Sequence, residues 1–371
     1  MKKICHITSA HPPEDGRIFR RACISAVRAG YDTYLIERGE TYEKQGVHII
    51  GIGDPQRTGR LFRMICFAKK AYKTALTTNA DLYQLHDPEL LPYAIKLKKK
   101  GKKVVFDSHE NYVEQIRNKT YLPKVVARIL AKIYDLYSRM IYSRIDGLTY
   151  PGNGETVTYF DKLCNKVVPT DNLPWLSELF DKFNETQIKE KNTVCYIGGL
   201  EEHRGITQII KAARLAHCKL YLAGPFYSEE YKKKLEQMEE YSCVSYLGVL
   251  NRDKIAELLN KVEVGLCMLL DVGQYYKMQN LPTKVYEYMS MGLPCIINNS
   301  PYNVSFLKQY NIGFAVDSNN ELEIAKAIRT LLDDSALRRQ CKDNGRNAIL
   351  SKYCWDKEQI KLLGLYDELL N

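Results

Sequence analysis

The sequence predicts an α/β protein built from two doubly wound domains. Short apolar runs alternate with amphipathic helical patterns in the first half, and the same alternation restarts after a polar stretch. Alternation of this kind is typical of parallel sheets covered by helices. The chain has 371 residues, of which 45% are hydrophobic, so it can fill two ordinary cores. Disordered and collagen-like classes are therefore excluded.

The first half opens with an apolar run from Ile4 to Ser9, a turn containing Pro12 and Gly16, and a helical pattern from Arg17 to Ala29. This order predicts a strand, a loop and a helix. Further strands are predicted at 33–36, 81–85, 103–107 and 147–150, with a helix at 89–99.

The second half restarts with a strand predicted at 193–197. Further strands are predicted at 219–223, 244–246, 264–269, 294–297 and 313–316. The polar stretch 169–192 contains Pro169, Asn172 and Pro174 and is the predicted hinge. Because ligands of open parallel sheets bind beyond the carboxyl ends of the strands, we expect the chemistry in the loops that follow these runs, in a cleft between the two domains.

Several features bear on the cellular compartment. No run approaches the ~18 apolar residues that span a bilayer, and the start Met1-Lys2-Lys3 leads at once into mixed residues without a cleavage site, so no secretory signal is expected. The eleven cysteines contain no C-x-x-C pair, and most lie in apolar runs, where a reduced thiol behaves as a small hydrophobe. We expect a cytoplasmic protein.

Charge is divided unevenly between the halves. Residues 1–170 contain 29 Lys and Arg against 17 Asp and Glu, whereas residues 171–371 contain 25 against 27. A basic half can face nucleic acid, an anionic membrane leaflet or a phosphorylated substrate. It can equally be a solvated surface without a partner, and charge alone does not choose among these.

Two loops of the first half carry titratable clusters. His86, Asp87 and Glu89 follow one predicted strand, with Pro88 suited to the first position of a helix. His109 and Glu110 follow the next predicted strand, so both clusters are expected at one site. His86 and Asp87 are the best acid–base or hydrogen-bonding candidates, with the alternative that Asp87 only caps a helix.

Two segments of the second half suit a phosphate group. Gly198 and Gly199 form a turn before a helix, with Arg204 beside it, and backbone N–H groups at such a turn hold phosphate oxygens. Further on, a short helix is predicted with Asn280 as its cap and Pro282 in its first turn. Glu287 lies one turn inside this helix. It can accept hydrogen bonds from ribose hydroxyls or, alternatively, form a surface pair with Lys284.

These residues resemble, in order and spacing, the retaining glycosyltransferases of family 4. The resemblance rests on Gly198-Gly199, Arg204-Gly205, Leu222-Ala223-Gly224-Pro225, Tyr246-Leu247-Gly248 and Pro282 to Pro294 in the second half, and on Asp15-Gly16-Arg17, His86 to Glu89 and Asp107 to Glu110 in the first. The first-half loops are similar to those of bacterial members that make surface polysaccharides such as capsule and lipopolysaccharide.

The resemblance implies a GT-B fold, with two Rossmann-like domains facing a cleft. Residues 1–170 would bind the acceptor, residues 171–354 would bind the nucleotide-sugar donor, and a C-terminal helix, 355–371, would pack back on the first domain. The implied reaction is retaining transfer of a sugar from a nucleotide-diphosphosugar to a glycan acceptor, with UDP favoured over GDP as the nucleotide.

The resemblance also implies roles for individual residues. The implied catalytic residues are His86, Asp87, Arg204 and Glu287. The implied nucleotide-sugar contacts are Gly16, Gly199, Arg204, Gln279, Pro282, Thr283, Lys284 and Glu287. The implied acceptor-side residues are Asp15, Arg17, Glu89, His109 and Glu110. The sequence departs from the family pattern at Gln279, where a glutamate is common, and at Leu200, where an arginine is common.

No metal or other cofactor is expected. The sequence contains no D-x-D triplet, so the diphosphate-bridging metal site of the other large glycosyltransferase fold has no ligands. Positioned N–H groups and Arg204 would stabilise the charge that develops on the leaving diphosphate. The family's usual mechanism lets that diphosphate take the acceptor proton, so no protein nucleophile is required.

Two segments of the basic half, 57–73 and 122–144, are amphipathic and cationic. Helices of this composition can lie on an anionic leaflet. Members of the resembled family that elongate lipid-linked glycans sit at the inner membrane face, so the resemblance implies a polyprenyl-diphosphate-linked acceptor and peripheral association with the inner face of the plasma membrane. The alternative is that their apolar faces are ordinary core stripes. Two further functions stay open, a nucleotide-sugar 2-epimerase of the same fold and a non-enzymatic nucleic-acid binder. The scattered tyrosines do not favour the second, and no nucleic-acid partner is expected.

Overall fold

The computed structural model describes residues 1–54, 62–119, 122–152, 159–272 and 279–371. The chain divides into two compact units. Unit 1 comprises Met1–Asn172 together with Glu358–Asn371, and unit 2 comprises Leu173–Lys357. Each unit contains one sheet covered by helices, as the alternating pattern predicts.

Unit 1 contains an eight-stranded sheet in the order β3-β4-β2-β1-β5-β6-β7-β8. Its neighbours pair in parallel except β3 with β4. The strands are β1 (Lys3–Ile7), β2 (Asp32–Glu37), β3 (Tyr42–Lys44), β4 (Val47–Gly51), β5 (Leu82–Leu85), β6 (Lys103–Asp107), β7 (Gly147–Tyr150) and β8 (Val167–Pro169).

The helices of unit 1 follow its strands. They are α1 (Ile24–Arg28), preceded by a π-helical run Ile18–Cys23, then α2 (Ala68–Thr77), α3 (Leu91–Lys99), α4 (Tyr112–Arg117) and α5 (Lys124–Tyr142). A short turn, Pro88–Leu90, leads into α3, and Pro88 occupies its first position, as expected from its fixed φ. Because helices cover both faces, the central strands are largely buried, and Val104, Val105 and Phe106 are fully buried.

Unit 2 contains a six-stranded, wholly parallel sheet in the order β11-β10-β9-β12-β13-β14. The strands are β9 (Thr193–Ile197), β10 (Lys219–Ala223), β11 (Val244–Tyr246), β12 (Val264–Cys267), β13 (Cys295–Asn298) and β14 (Gly313–Val316). The helices are α6 (Ile206–Leu215), α7 (Glu229–Glu236), α8 (Arg252–Lys261), α9 (Thr283–Ser290), α10 (Pro301–Tyr310), α11 (Glu321–Asp333) and α12 (Ser335–Ser351).

The last helix, α13 (Trp355–Leu370), begins in unit 2, and its residues from Glu358 onward belong to unit 1. There Tyr366 donates a hydrogen bond to the side chain of Gln84 in β5, and Leu365 contacts the backbone of β7 at Gly147.

Both sheets reverse direction beside their first strand. In unit 1 the chain moves outward from β1 to one edge and then resumes on the other side of β1 with β5. In unit 2 the same reversal separates β9 from β12. Such a switch point leaves a crevice at the carboxyl ends of the two strands, where ligands of doubly wound sheets bind. The fold therefore directs attention to the loops after β1 and β5, and after β9 and β12.

The structure corrects several local predictions. Asn280 is not the cap of α9, since Pro282 occupies the N-cap position and no side chain caps the helix. The boundary between the two units, at Asn172 and Leu173, lies within the predicted hinge 169–192, of which only Pro169 belongs to a strand, β8. The hairpin of β3 and β4 was not predicted.

The basic segment 57–73 lies partly outside the described residues, since Arg57, Arg60 and Leu61 fall there. Of its described part, Met64 and Ile65 are exposed whereas Phe67 is buried in the core. In the segment 122–144 most of the large apolar side chains are exposed, whereas Ile141 is buried in the core. The core-stripe alternative is therefore wrong for most of this segment but holds at Ile141. No helix among the described residues combines the length and apolarity needed to cross a bilayer.

Candidate active site

Three adjacent strands of unit 1 bring the predicted polar clusters together. Strand β5 lies between β1 and β6, with Ile7 paired to Leu85 and Leu85 to Phe106. The residues after these strands therefore meet at one edge of the sheet. His86 and Asp107 are connected there by a hydrogen bond of 3.1 Å between Nδ1 and Oδ2. The two loop clusters thus form one site, as the sequence predicts.

Asp107 is the centre of this site, and Arg17 is its main partner. Arg17 binds both carboxylate oxygens, with Nε 2.9 Å from Oδ2 and Nη2 2.7 Å from Oδ1. Thr149 donates to Oδ1 at 2.7 Å. Burial by itself raises the pKa of Asp107, but the Arg17 charge and hydrogen bonds from His109 and His86 hold it well below its usual range.

Arg17 also binds the end of the first chain segment of unit 1, which stops at Asn172. Its Nη1 donates to the Thr170 carbonyl at 2.8 Å and to Asn172 Oδ1 at 2.9 Å, and Nη2 donates to Thr170 Oγ1 at 2.8 Å. The guanidinium is buried and makes five hydrogen bonds. In this arrangement Arg17 organises the site, and its donors are used within the protein.

Four of the seven histidines form a series of close neighbours in this site. His6 Nδ1 is 3.1 Å from His86 Nε2, His109 Nε2 is 3.3 Å from Asp107 Oδ2, and the His109 ring lies 4.2 Å from that of His11. Burial and the nearby His86 hold the pKa of His6 well below its ordinary value. Burial also lowers the pKa of His109. Burial thus favours the neutral forms of His6 and His109.

The carboxylate of Asp87 fastens the loop after β1. Its Oδ2 accepts hydrogen bonds from Thr8 Oγ1 at 2.9 Å, from the Ser9 N–H at 2.5 Å and from the Ala10 N–H at 3.1 Å. Asp87 makes no side-chain cap for the following turn, so the capping alternative is wrong. His11 approaches the other oxygen at 3.4 Å.

A cavity of about 600 Å³ opens beside these side chains within unit 1. Its polar walls include His11, Asp87, Glu89, His109 and Glu110, and its apolar walls include Met64, Ile65, Tyr112, Ile116, Tyr134 and Tyr137. Burial raises the pKa of Glu110. The sequence-predicted acceptor-side residues Glu89, His109 and Glu110 therefore line one cavity. Asp15 is tied to the Arg17 N–H and does not line it.

Two histidines and a carboxylate of this site meet the distance requirement of a metal site. One ligand atom from each of His86, Asp107 and His109 lies within 4.8 Å of the others. Both oxygens of Asp107, however, already bind Arg17. A divalent cation would lie beside a guanidinium that shares its one carboxylate, so the charges of this set do not fit a metal.

The turn after β9 in unit 2 depends on glycine. Gly198 has φ of 117°, and Gly224 packs so closely that a Cβ there would lie 1.9 Å from the Gly198 carbonyl oxygen. Gly205 has φ of 69°, and its Cβ would lie 2.1 Å from the Met268 carbonyl oxygen beyond β12. Both the left-handed backbone and the missing Cβ are required here. The loop after β9 is therefore held against the loop after β12 at the switch point.

Lys284, in the first turn of α9, lies under this turn. Its Nζ is buried and has no hydrogen-bond partner among the described residues. It lies 3.6 Å from the centroid of the Tyr196 ring, and a Cβ on Gly198 would lie 3.1 Å from it. Burial lowers the pKa of Lys284 to about 8. The protein thus keeps a cationic group without an anionic partner beside a glycine turn.

Glu287 is engaged by an arginine rather than by Lys284. Arg252 Nη1 donates to Glu287 Oε1 at 2.6 Å, and Nη2 donates to Glu178 Oε2 at 2.8 Å. Glu287 is buried in α9, one turn after Lys284. The alternative of a surface pair between Lys284 and Glu287 is wrong, and Glu287 is held in place by a charged partner from α8.

The remaining residues that were predicted to contact the donor lie in both units. Arg204 is partly exposed and binds Glu201, Gly199 lies in the glycine turn against Tyr227, and Thr283 begins α9 after Pro282. Gln279 is exposed. Gly16 lies in unit 1, where its carbonyl accepts a hydrogen bond from Arg21.

A model of a known protein family matches part of unit 2. Residues 178–348 match the family model "Glycosyl transferases group 1". These residues lie in unit 2 and include the glycine turn, Lys284 and Glu287. The chain has a GT-B fold, as predicted, and the match supports the glycosyltransferase resemblance over this part of the chain, while assignment to family 4 stays a prediction.

One curated relative of this GT-B chain is the "GalNAc-alpha-(1->4)-GalNAc-alpha-(1->3)-diNAcBac-PP-undecaprenol alpha-1,4-N-acetyl-D-galactosaminyltransferase" of Campylobacter jejuni. The two are 26% identical over 234 residues, which are 59% of this chain and 60% of the relative. A second, an uncharacterised glycosyltransferase of Methanocaldococcus jannaschii, is 23% identical over 52% of this chain and 49% of its own length. The chain thus matches 60% and 49% of the lengths of these two curated relatives.

Solved structures resemble the GT-B chain over nearly its whole length. The sucrose-phosphate synthase of Thermosynechococcus elongatus has a TM-score of 0.76 at 14% identity, with 100% of this chain and 99% of that chain covered. The Anabaena protein HepE, solved in complex with UDP and glucose, has a TM-score of 0.72 at 14% identity, with 99% and 100% covered. At these identities the likeness establishes the fold.

Sequence reasoning missed several residues of this GT-B protein's two sites. Arg252 gave no signal, because nothing in the order of residues connects it with Glu287, 35 positions later. His6 lies inside an apolar run, and His11 in a turn rich in proline. Tyr196 lies within a buried strand. A polar residue inside an apolar strand was the signal available for His6.

Proposed function

We propose that the protein is a retaining glycosyltransferase that moves a sugar from a nucleotide-diphosphosugar, with UDP favoured, to a glycan acceptor. Unit 2 would bind the donor and unit 1 the acceptor. The Campylobacter relative is named for a polyprenyl-diphosphate-linked glycan, which supports a lipid-linked acceptor in the synthesis of bacterial surface polysaccharide.

The buried Lys284 ammonium carries the proposal. A charged group removed from water costs several kcal/mol unless an opposite charge compensates it, and Lys284 Nζ has no hydrogen-bond partner among the described residues. It lies beside the glycine turn at the switch point of unit 2, where doubly wound sheets bind nucleotides. A diphosphate would supply the missing negative charge.

The same groups suit the chemistry of sugar transfer. Cleavage of the bond between sugar and diphosphate builds negative charge on the leaving oxygens. Lys284 and Arg204 would stabilise this charge as it develops, which accelerates the step more than uniform binding would. Glu287, held by Arg252, would accept hydrogen bonds from the ribose hydroxyls through the oxygen that Arg252 does not bind.

The groups of unit 1 would serve the acceptor and the donor sugar. The His86 ring is fully buried, and each of its nitrogens has a close neighbour. We therefore propose its backbone, rather than its imidazole, for the contact that stabilises the positive charge on the sugar. Glu89, His109 and Glu110 would bind acceptor hydroxyls in the cavity, and its tyrosines would pack against a sugar ring.

Activity is proposed to need no metal, since the charges of the His86, Asp107 and His109 set do not fit one. Turnover should be unchanged in EDTA. Loss of turnover in EDTA, with recovery on addition of a divalent ion, would contradict this part of the proposal.

The first test is a thermal-shift panel with UDP, GDP, CMP, NAD and UDP-sugars. A ligand of the folded state raises the melting temperature by mass action. We expect stabilisation by UDP and UDP-sugars, lost in Lys284→Met. The matched control is Lys189→Met, because Lys189 is a second lysine of unit 2 whose pKa burial lowers to about 8, but it donates to the Val262 carbonyl at 2.7 Å.

Two results would overturn the donor assignment. One is the absence of a shift with every diphosphate, and the other is an equal loss of the shift in both lysine variants. With the donor found, the product's anomeric configuration by NMR tests retention.

A further inference from the structure

Helix α5, Lys124–Tyr142, carries an unusual set of outward-facing side chains. Seven large apolar residues along it are between 42% and 66% exposed. They are Val125, Val126, Ile129, Leu130, Ile133, Leu136 and Met140. Single exposed apolar residues are normal on protein surfaces, but a contiguous set marks an interaction site.

The seven residues are contiguous on the helix surface. At ~100° per residue, they occupy one arc of about 140°, which we call the apolar arc. The next sector contains the buried Ala127, Ala131 and Ser138, whose small side chains let α5 pack closely on unit 1. The remaining sector contains Lys124, Arg128, Lys132 and Arg139. The helix thus has separate buried, apolar and basic sectors.

Three cations of the basic sector are available to an external anion. Arg139 pairs with Asp135, whereas Lys124, Arg128 and Lys132 are exposed and make no ion pair among the described residues. A helix with a basic sector next to an exposed aliphatic arc fits the boundary of an anionic bilayer, where apolar side chains enter the acyl region and cations meet the headgroups.

The apolar surface continues beyond the helix. Met64 and Ile65 are both exposed, and both line the same cavity as Tyr134 and Tyr137 of α5. The cavity of unit 1 therefore opens next to the apolar arc. The seven exposed side chains are aliphatic or Met, and Tyr137, which falls in the same arc, is half-buried and lines the cavity. The basic sector beside this apolar surface favours an anionic lipid leaflet over a protein partner.

We propose that α5 lies in the plane of an anionic phospholipid leaflet, with the apolar arc, Met64 and Ile65 inserted and the basic sector at the headgroups. The cavity of unit 1 then opens at the membrane surface. This inference concerns lipid binding alone, so it stands or falls independently of the sugar transfer proposed above.

The test is cosedimentation with vesicles of phosphatidylcholine containing about 30% phosphatidylglycerol, compared with phosphatidylcholine alone. We expect binding to the anionic vesicles that weakens at least about tenfold in the double variant Ile129→Glu, Ile133→Glu. The matched control is Leu215→Glu, Leu322→Glu, which changes two exposed leucines of unit 2 and should bind as the wild type does.

The charge contribution is tested by Arg128→Gln, Lys132→Gln. This variant should lose its preference for the anionic vesicles, and Lys326→Gln, Arg339→Gln in unit 2 should keep it. Circular-dichroism melting verifies that each variant is folded.

Three outcomes would overturn the proposal. They are failure of the folded wild type to bind the anionic vesicles, equal weakening in the arc variant and its control, and self-association. The last would appear in light scattering as a dimer that the arc variant dissociates without any vesicle binding by the wild type.

Discussion

The ammonium of Lys284 lies 3.6 Å from the centre of the Tyr196 ring, and it has no hydrogen-bond acceptor among the residues that the structure describes. An aromatic face compensates a cation only in part. The pKa of Lys284, lowered by burial to about 8 from 10.5, reflects this incomplete compensation. The free protein therefore carries a local cost that an anionic ligand can remove.

Replacement of Lys284 by Met should raise stability and abolish nucleotide binding. Between pH 8 and 10.5 the unfolded chain holds a proton that the folded chain has lost, so Lys284 makes stability rise with pH across this window. At pH 7 its charge costs on the order of 3 kcal/mol. We expect a higher melting temperature for Lys284→Met at pH 7 without ligand. A lower one would contradict the assigned cost.

UDP affinity should fall as pH rises above about 8, because the diphosphate binds the protonated Lys284. Calorimetry from pH 7 to 9.5 measures this trend, with proton uptake detected through buffers of different ionisation enthalpy. Lys189→Met should show the wild-type profile. A flat profile in the wild type would exclude Lys284 from the diphosphate.

The proposed contact of Glu287 with the ribose is tested with a ligand that lacks the ribose hydroxyls. In Glu287→Gln one carboxylate oxygen becomes an NH2 donor, and the remaining oxygen is an uncharged and weaker partner for Arg252, so stability should fall by about 2 kcal/mol. Wild-type protein should prefer UDP over 2′,3′-dideoxy-UDP, and the variant should discriminate less. Arg252→Met is the companion variant, since it leaves the carboxylate and disturbs only its support. Equal discrimination in wild type and Glu287→Gln would remove the ribose role.

Asp107→Asn should be far more damaging than a surface substitution. It leaves the buried Arg17 without its carboxylate, which costs about 3–5 kcal/mol. Asp333→Asn, which breaks the exposed pair with Arg329, should cost less than about 1 kcal/mol. Because the folded pKa of Asp107 lies well below its usual value, its contribution is present above about pH 4 and is lost only as pH falls through that low pKa. Urea unfolding at pH 7 measures both variants, and similar losses would contradict the network.

His6 should make the protein sensitive to mild acid. Its folded pKa lies well below the ordinary value of 6.5, so below pH 6.5 the unfolded chain takes up a proton that the folded chain does not. Stability should therefore decline as pH falls below 6.5. His6→Gln keeps a hydrogen-bonding group next to His86 and should flatten this decline, whereas His48→Gln on the surface should not. An unchanged slope in His6→Gln would assign the decline to other groups.

The sequence was sufficient for the features that repeat along the chain. The strand ends at His86, Asp107 and Gly198 were predicted because apolar runs end there in polar or glycine residues, and the parallel order then brings them together. Partnerships across the chain were not predicted. The contacts of Arg17 with Thr170 and of Arg252 with Glu287 depend on the tertiary fold, which local sequence patterns do not show. Asn280 satisfies the composition of a cap, but Pro282 occupies the N-cap position two residues later.

The path of α13 affects how the chain can be assembled and divided. Residues 1–172 are synthesised first, yet the segment Glu358–Asn371, which supplies Tyr366 to β5 and Leu365 to β7, is made after all of unit 2. During translation unit 2 can be complete while unit 1 still lacks one of its helices. A fragment ending at residue 172 would expose the groove that α13 fills, whereas joining 358–371 to that fragment by a short linker would restore it.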